Sequence, residues 1–345
     1  MSLLLGLLIF SFIVTSLLIV PFINALFAIK FQRRDQQTKD AFGKRTPIFD
    51  KFHAGKVGTP VGGGLLVISV VTLLFFILFP LIKFLGVYIT NVYPIKEELN
   101  VIFFTFLSFG LLGLYDDVMK FFRIEKTGFF GLRLRHKFLI QWLLGFIIAL
   151  LLYANLHIQI LYVPFLGVIN LGWLYVPFAA FVIVSFANAV NITDGLDGLA
   201  SGILFIALLA FWVLSASILD TPLSVFLALW IGALIAFLYF NVFPARIFLG
   251  DVGALSFGAT LAVAGLLLGK IIALILIGGI FIFEISTSLL QLLSKKYRKK
   301  KIFTAAPFHL LLQEAGWPEP KIVMRFWLAA SVLALFGLWL ALIQR

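Results

Sequence analysis

The chain contains no cysteine, which removes disulfides, thiolate metal centres and cysteine nucleophiles. Histidine is nearly as scarce, with four among 345 residues, so a nitrogen-rich metal site has few ligands to draw on. Charge is thin as well: 12% of residues are charged, 62% are hydrophobic, and mean hydropathy is +1.13. Soluble domains carry roughly 25% charged residues, so this chain lacks the polar surface to face water on all sides. Alternating polarity over about ten-residue stretches, the mark of a membrane barrel, is missing, and no internal repeat is visible.

What the sequence does have is apolar runs of about 20 residues, the length a helix needs to cross roughly 30 Å of hydrocarbon. They predict an all-α polytopic membrane protein with ten spans, over 3–29, 61–84, 100–115, 138–154, 174–192, 198–216, 223–240, 252–269, 271–293 and 321–343. All of it is read as one integral-membrane domain, residues 1–345. The first run, Ser2 to Ile29, is too long for a secretory signal and lacks its basic start and small-residue cleavage site, so a retained span is expected. Segment 155–173, with Pro164 and two glycines, is expected to form a re-entrant or interfacial hairpin.

The net charge of +12 sits in loops, and no nucleic-acid partner is expected. Segments 30–60, 116–137, 240–251 and 294–325 hold 23 of the 27 basic residues. The other side of the spans receives Lys83, Lys96, Lys270 and Arg345. Positive charge near span ends is retained in the cytoplasm, so both termini are expected outside it.

A carboxylate at the centre of a membrane helix costs about 2.5 to 3.5 kcal/mol on insertion scales, so acids gathered at span ends need a reason. Three groups fall at expected cytoplasmic ends: Asp116 and Asp117 in GLYDDVMK, Asp194 and Asp197 in NAVNITDGLDGLASG, and Asp251 in FPARIFLGDVGALSFG. Adjacent carboxylates raise each other's proton affinity unless a cation neutralises them, which suits metal binding or general-base work. Lys120 follows one turn later. Read alone, this pair is equally well an ordinary solvated helix end.

Asn188, Asn191, Asp194 and Asp197 recur every three residues, so successive pairs are neighbours on a helical surface and could grip a sugar-nucleotide. A calcium loop does not fit that spacing. Asp251 is placed to cap the helix that follows, where backbone amides favour phosphate, and a cap alone would explain it. Arg246 and Phe248 offer a phosphate partner and a stacking surface. Oxygen-rich donors without cysteine select a hard cation, chiefly magnesium, which binds through one or two carboxylates plus substrate phosphates.

Two loop segments add weaker candidates. HAGKVGTPVGGG contributes His53, Lys56 and Thr59 before a glycine turn without the P-loop pattern. KKYRKKKIF could bind anionic lipid headgroups or merely set topology, and His309 follows it, placed to donate to a phosphate.

In order, GTPVGGG, YDDVMK, NAVNITDGLDGLASG, FNVFPARIFLGDVGALSFG, APFH and GWPEPKIVMRFW resemble the polyprenyl-phosphate N-acetylhexosamine-1-phosphate transferase superfamily, over about residues 53–327. GWPEP with RFW is most similar to its phospho-N-acetylmuramoyl-pentapeptide transferase branch. The resemblance implies ten spans with both termini outside the cytoplasm of a bacterial inner membrane. It also implies transfer of a sugar phosphate from a UDP-linked donor to undecaprenyl phosphate with release of UMP, among membrane lipids and with room for a homodimer. It further implies that Asp251 holds Mg2+ and that Asp116 or Asp117 assists the lipid phosphate or the metal. Asn191, Asp194 and Asp197 would line the nucleotide pocket with Phe248 on uracil, while Lys120, Asn241 and His309 would contact donor phosphates or maintain the site. Asn188 and Thr59 complete the expected substrate-binding set.

The chain departs from the family where three consecutive histidines are usual and it reads His309, Leu310, Leu311, and where Val61 and Gly62 replace threonine and methionine. Both departures bear on donor choice. Three other readings stay open: the same chemistry on UDP-N-acetylglucosamine, a transporter with acids at mid-membrane, and an inactive scaffold. Only Glu284 is expected clearly inside a span, as a packing contact or a snorkelling acid.

Overall fold

The computed structural model describes residues 1–32, 50, 52, 54–122, 134–164 and 166–343. His53 and most of the basic segment 30–60 lie outside the described residues, as do 123–133.

Its helices are α1 (Ser2–Ala28), α2 (Gly63–Phe84), α3 (Ile95–Phe122), α4 (Leu134–Ala154), α5 (Tyr175–Thr193), α6 (Leu199–Ser217), α7 (Thr221–Asn241) and α8 (Gly250–Leu267). They are followed by α9 (Ile271–Ile277), α10 (Gly279–Leu293), α11 (Phe308–Glu314) and α12 (Glu319–Ile343). Among the described residues nine helices are long and apolar enough to cross a membrane, or ten if α9 and α10 are one broken span. The expected span 271–293 is that pair, bent by 74° at Gly278.

The expected span 100–115 is too short at both ends. In α3 the apolar stretch is continuous with polar turns, so Glu98 and the Asp116–Asp117 pair all lie within one helix. Glu284 is therefore not alone: Glu98 is also fully buried, beside Asp220. At that same end, the Tyr93 hydroxyl donates to the Leu267 carbonyl at 3.0 Å. Burial pushes the Tyr93 hydroxyl up to about 12 and raises the Asp220 carboxyl above its usual range. Asp220 also caps α7 by accepting from the Leu223 N–H. Segment 155–173 holds an antiparallel hairpin, β1 (Ile160–Val163) paired with β2 (Gly167–Asn170). It is the one sheet among the described residues.

Helix α8 is the hub, buried from Val252 to Leu267 and packed chiefly on α3 and α5. Its sequence explains this: GDVGALSFGATLAVAG is mostly small residues, which let helix backbones approach closely where no hydrophobic force holds helices together in lipid. A Cβ on Gly113 of α3 would lie 2.2 Å from the Asp251 carbonyl oxygen, and one on Gly64 of α2 would lie 2.2 Å from Gly253 Cα. Those two contacts bring the polar ends of α2 and α3 against the start of α8. Deeper in the bundle, Phe75, Phe103, Phe106, Phe226, Trp230 and Phe257 interlock edge-to-face or tilted, with Phe106 stacked on Phe257, and fix the helices that carry the site.

Candidate active site

Four helices converge on one charged cluster. Asp116 and Lys120 of α3 are one turn apart and paired at 2.9 Å. Lys120 also reaches Asp251 Oδ2 of α8 at 2.8 Å. Lys137 of α4 bridges the same two carboxylates, meeting Asp116 Oδ2 at 2.8 Å and Asp251 Oδ2 at 2.5 Å. From α5, the Asn191 amide donates to Asp251 Oδ1 at 3.0 Å. Both oxygens of Asp251 are thus in use.

Asp251 therefore does not cap α8 as expected; that helix has no cap from its own N-terminal side chains. Asp117 supplies it from α3, with Oδ2 accepting the Val252 N–H at 3.1 Å. The chain permits this because Gly250 sits at φ +80°, and a Cβ there would fall 2.7 Å from Asp117 Oδ2. The adjacent aspartates consequently differ: Asp117 is tied to backbone, whereas Asp116 faces the ammonium groups.

A second cluster lies on the loop between α5 and α6, turned by Gly198 at φ +77°. Asp197 Oδ2 accepts the Ala245 N–H at 2.9 Å, and Asp197 Oδ1 pairs with Lys56 at 2.7 Å. Lys56 also meets Glu319 at the start of α12 at 2.6 Å, and Glu319 accepts the Asp197 N–H at 2.6 Å. Asp194 is the half-buried residue that ends α5. Phe248 is held by its backbone, which accepts from the Gly62 and Gly63 amides and donates to the Pro60 carbonyl at 2.9 Å. Its half-buried side chain thereby stands on the segment that pairs with Pro60, the residue after Thr59.

Three expected site residues have structural employment. Asn241 is buried, donating to the Ile247 carbonyl and accepting from Ser201, so it shapes the Phe248 loop. Asn188 donates to Gln141 of α4 and to the Val184 carbonyl, leaving Asn191 as the amide of that series on Asp251. His309 is fully buried and bound to Glu284; it does not present itself to solvent as a phosphate donor.

Lys137 and Glu319 were not foreseen as site residues. Lys137 carried a signal, being a lysine at the entry of an apolar helix, close to another basic-rich loop. Glu319 sits in GWPEP with nothing local to distinguish it from a solvated helix start.

Among the described residues no three acidic or histidine side chains form a ready metal cage. The donor set still suits a hard divalent cation. Asp116 and Asp251 are close enough for one ammonium nitrogen to touch both, and magnesium commonly uses one or two carboxylates and takes its remaining ligands from substrate phosphate and water.

Comparison with known proteins fixes the class. Residues 99–269, from α3 through α8, match the glycosyl transferase family 4 model. The chain is 37% identical to a phospho-N-acetylmuramoyl-pentapeptide-transferase of Aquifex aeolicus (strain VF5), over 94% of this chain and 91% of that protein. It is 37% identical to that of Thermodesulfovibrio yellowstonii over 84% and 81% of the two chains, and 36% identical to that of Bartonella quintana (strain Toulouse) over 83% and 80%. This multi-pass membrane protein is a phosphoglycosyl transferase. It belongs to the phospho-N-acetylmuramoyl-pentapeptide-transferase family.

Proposed function

We infer that the protein transfers phospho-N-acetylmuramoyl-pentapeptide from its UDP-linked donor to undecaprenyl phosphate, giving lipid I and UMP, at the cytoplasmic face of a bacterial inner membrane. The observation that carries this reading is the meeting of Asp116, Lys120, Lys137, Asn191 and Asp251 at one end of an apolar bundle. Such a cluster can accept phosphates from water on one side while a polyprenyl tail stays in lipid on the other. The basic loops support a cytoplasmic location for this end, with both termini opposite.

In the reaction, an oxygen of the lipid phosphate attacks the donor phosphorus that bears the sugar. A new P–O bond forms, the bond from that phosphorus to the bridging oxygen breaks, and UMP leaves with the electron pair. Asp251 and Asp116 would hold a magnesium ion, which would supply charge neutralisation at the diphosphate. Lys120 and Lys137 are placed to pair with phosphate oxygens once the carboxylates are otherwise engaged. Asn191 orients Asp251, and Asp117 fixes the helix that carries it, so the work of these residues is positioning and electrostatic stabilisation. Asp194, Asp197 and Phe248 would hold the nucleotide, with Lys56 and Glu319 bracing the Asp197 loop.

The test is magnesium-dependent UMP release from undecaprenyl phosphate with each of two donors, UDP-N-acetylmuramoyl-pentapeptide and UDP-N-acetylglucosamine. Release with the muramoyl donor alone is expected, and is lost in Asp251→Ala. Release with the glucosamine donor alone would move the protein to the other branch of the chemistry.

A further inference from the structure

Two lysines stand far from the charged cluster and take no part in it. Helix α2 starts against Gly253 and ends at Phe84, while α3 starts at Ile95 and carries Asp116 near its other end, so the loop between them lies opposite the site. Lys83 and Lys96 flank that loop, two of the four basic residues that the span reading leaves on that side. Positive charge there works against the topology that the other loops set. Lys83 is in the last turn of α2, where the helix dipole favours a cation. Lys96 is in the first turn of α3, the end that disfavours one. The ion pairs among the described residues belong to Lys56, Lys120, Lys137 and His309; Lys83 and Lys96 take part in none, although Glu97 and Glu98 share the α3 turn.

Both lysines line one cavity of about 580 Å3, whose walls include Phe79, Tyr88, Ile89 and Ile95. That volume is in the range of small-ligand sites, and no carboxylate is among the lining residues. Its walls are fixed without a ligand. Phe79 stacks on Phe75, with ring centroids 4.9 Å apart. Gly86, at φ +77°, turns the chain out of α2 and donates its N–H to the Lys83 carbonyl at 3.1 Å. Next to Ile89, the Thr90 carbonyl accepts the Thr221 N–H at 3.1 Å, and the Thr90 N–H donates to the Thr221 hydroxyl at 3.2 Å. These bonds fasten the loop to the start of α7. Phe84, Leu85 and Tyr88 are exposed, which sets apolar and aromatic surface where helix ends meet the membrane interface.

We propose that this cavity binds an acidic phospholipid from the leaflet at that end of the bundle, with the headgroup phosphate between Lys83 and Lys96 and acyl-chain carbons against Phe79 and Ile95. Unpaired ammonium groups beside an apolar wall match a molecule that joins an anion to a hydrocarbon tail. A soluble anion would leave the wall unused, and a zwitterionic lipid brings its own cation to the phosphate. The site is remote from the transfer chemistry and does not depend on it.

The absence of cysteine allows a single reporter thiol. Full-length Leu85→Cys carrying a bimane label, in phosphatidylcholine nanodiscs, is titrated with nitroxide-labelled phosphatidylglycerol or with nitroxide-labelled phosphatidylcholine of the same chains. Phosphatidylglycerol is expected to quench at lower mole fraction. That preference should fall about fivefold for each lysine removed by Lys83→Gln or Lys96→Gln, and persist in Lys83→Arg with Lys96→Arg. A label on Leu174→Cys, exposed just before α5 at the same end of the bundle, should show no preference.

Equal quenching by the two lipids at Leu85→Cys, or a preference that survives Lys83→Gln with Lys96→Gln, overturns the site. A preference of the same size at Leu174→Cys reports a diffuse surface potential and overturns it as well. Displacement by inorganic phosphate, but not by chloride at equal ionic strength, makes the occupant a free anion and overturns the lipid. If the double variant does not fold, the single variants and the two labels on the unsubstituted lysines still decide.

Discussion

Asp117 caps the helix that begins beside Asp251: its Oδ2 accepts the Val252 N–H across 135 positions of sequence, at 3.1 Å. The neighbouring Asp116 makes no such backbone bond among the described residues and instead shares Lys120 and Lys137 with Asp251. Two adjacent aspartates therefore divide the labour of one motif, one holding the scaffold and the other holding charge.

Substitutions should separate the two. Asp117→Asn retains an oxygen for Val252 and should keep most thermal stability, whereas Asp117→Ala should lose about 1 kcal/mol, typical of a lost helix cap. Asp116→Asn neutralises a carboxylate buried against Lys137 and should cost about 3 to 5 kcal/mol, while cutting UMP release by at least about 100-fold, the scale of one electrostatic stabiliser. Unfolding midpoints in detergent set against turnover decide the matter. Equal stability loss in Asp116→Ala and Asp117→Ala would remove the distinction.

The lysines differ in the same way. Lys137 is buried between the carboxylates, at 13% side-chain exposure, while Lys120 is 52% exposed. Removing a buried member of a charge cluster leaves its partners uncompensated, at a cost of about 3 to 5 kcal/mol, against about 0 to 1 kcal/mol at an exposed position. Lys137→Met should therefore lower both midpoint and turnover, and Lys120→Met mainly turnover. A midpoint for Lys120→Met that falls as far as that of Lys137→Met contradicts this ordering.

The Asp197 loop gives a third expectation. Glu319 accepts both the Asp197 N–H and the Lys56 ammonium, so Glu319→Ala and Lys56→Ala should be strongly non-additive. Groups in one such network couple by about 0.5 to 3 kcal/mol. A double-mutant cycle on donor KM that closes within about 0.3 kcal/mol would show that the two residues act separately.

How much of this could be read from sequence follows from the range of each interaction. Apolar runs and loop charge are local, and they yield α1, α2 and α4 to α8 nearly in register, with α3 too short at both ends. The convergence of Asp116 and Asp251 was inferable too, because topology puts both on one side. What stayed hidden depends on atoms far apart in the chain. Asp251 reads as its own helix cap, and only the approach of α3 reveals that Asp117 fills that role. His309 reads as a phosphate donor, since nothing around PFH shows that Glu284, 25 positions earlier, closes over its Nδ1. The break at Gly278 was missed because glycine in an apolar membrane helix is common, and hydropathy does not register a bend.

The close packing of α3 on α8 is the feature on which the charged cluster depends most directly. Gly113 lies one turn before Asp117, and its missing side chain lets α3 meet the Asp251 carbonyl. Gly113→Ala places a carbon 2.2 Å from that oxygen, a contact that only backbone movement relieves, with overpacking costs of about 1 to 3 kcal/mol. The displaced α3 carries Asp116 and Lys120 with it, so UMP release should fall at least about 100-fold, the effect of roughly 1 Å of misplacement. Gly6→Ala in α1, where nothing lies within 4 Å of the added carbon, serves as the matched control and should be silent. Normal turnover in Gly113→Ala would mean that the α3–α8 contact does not set the spacing of the carboxylates.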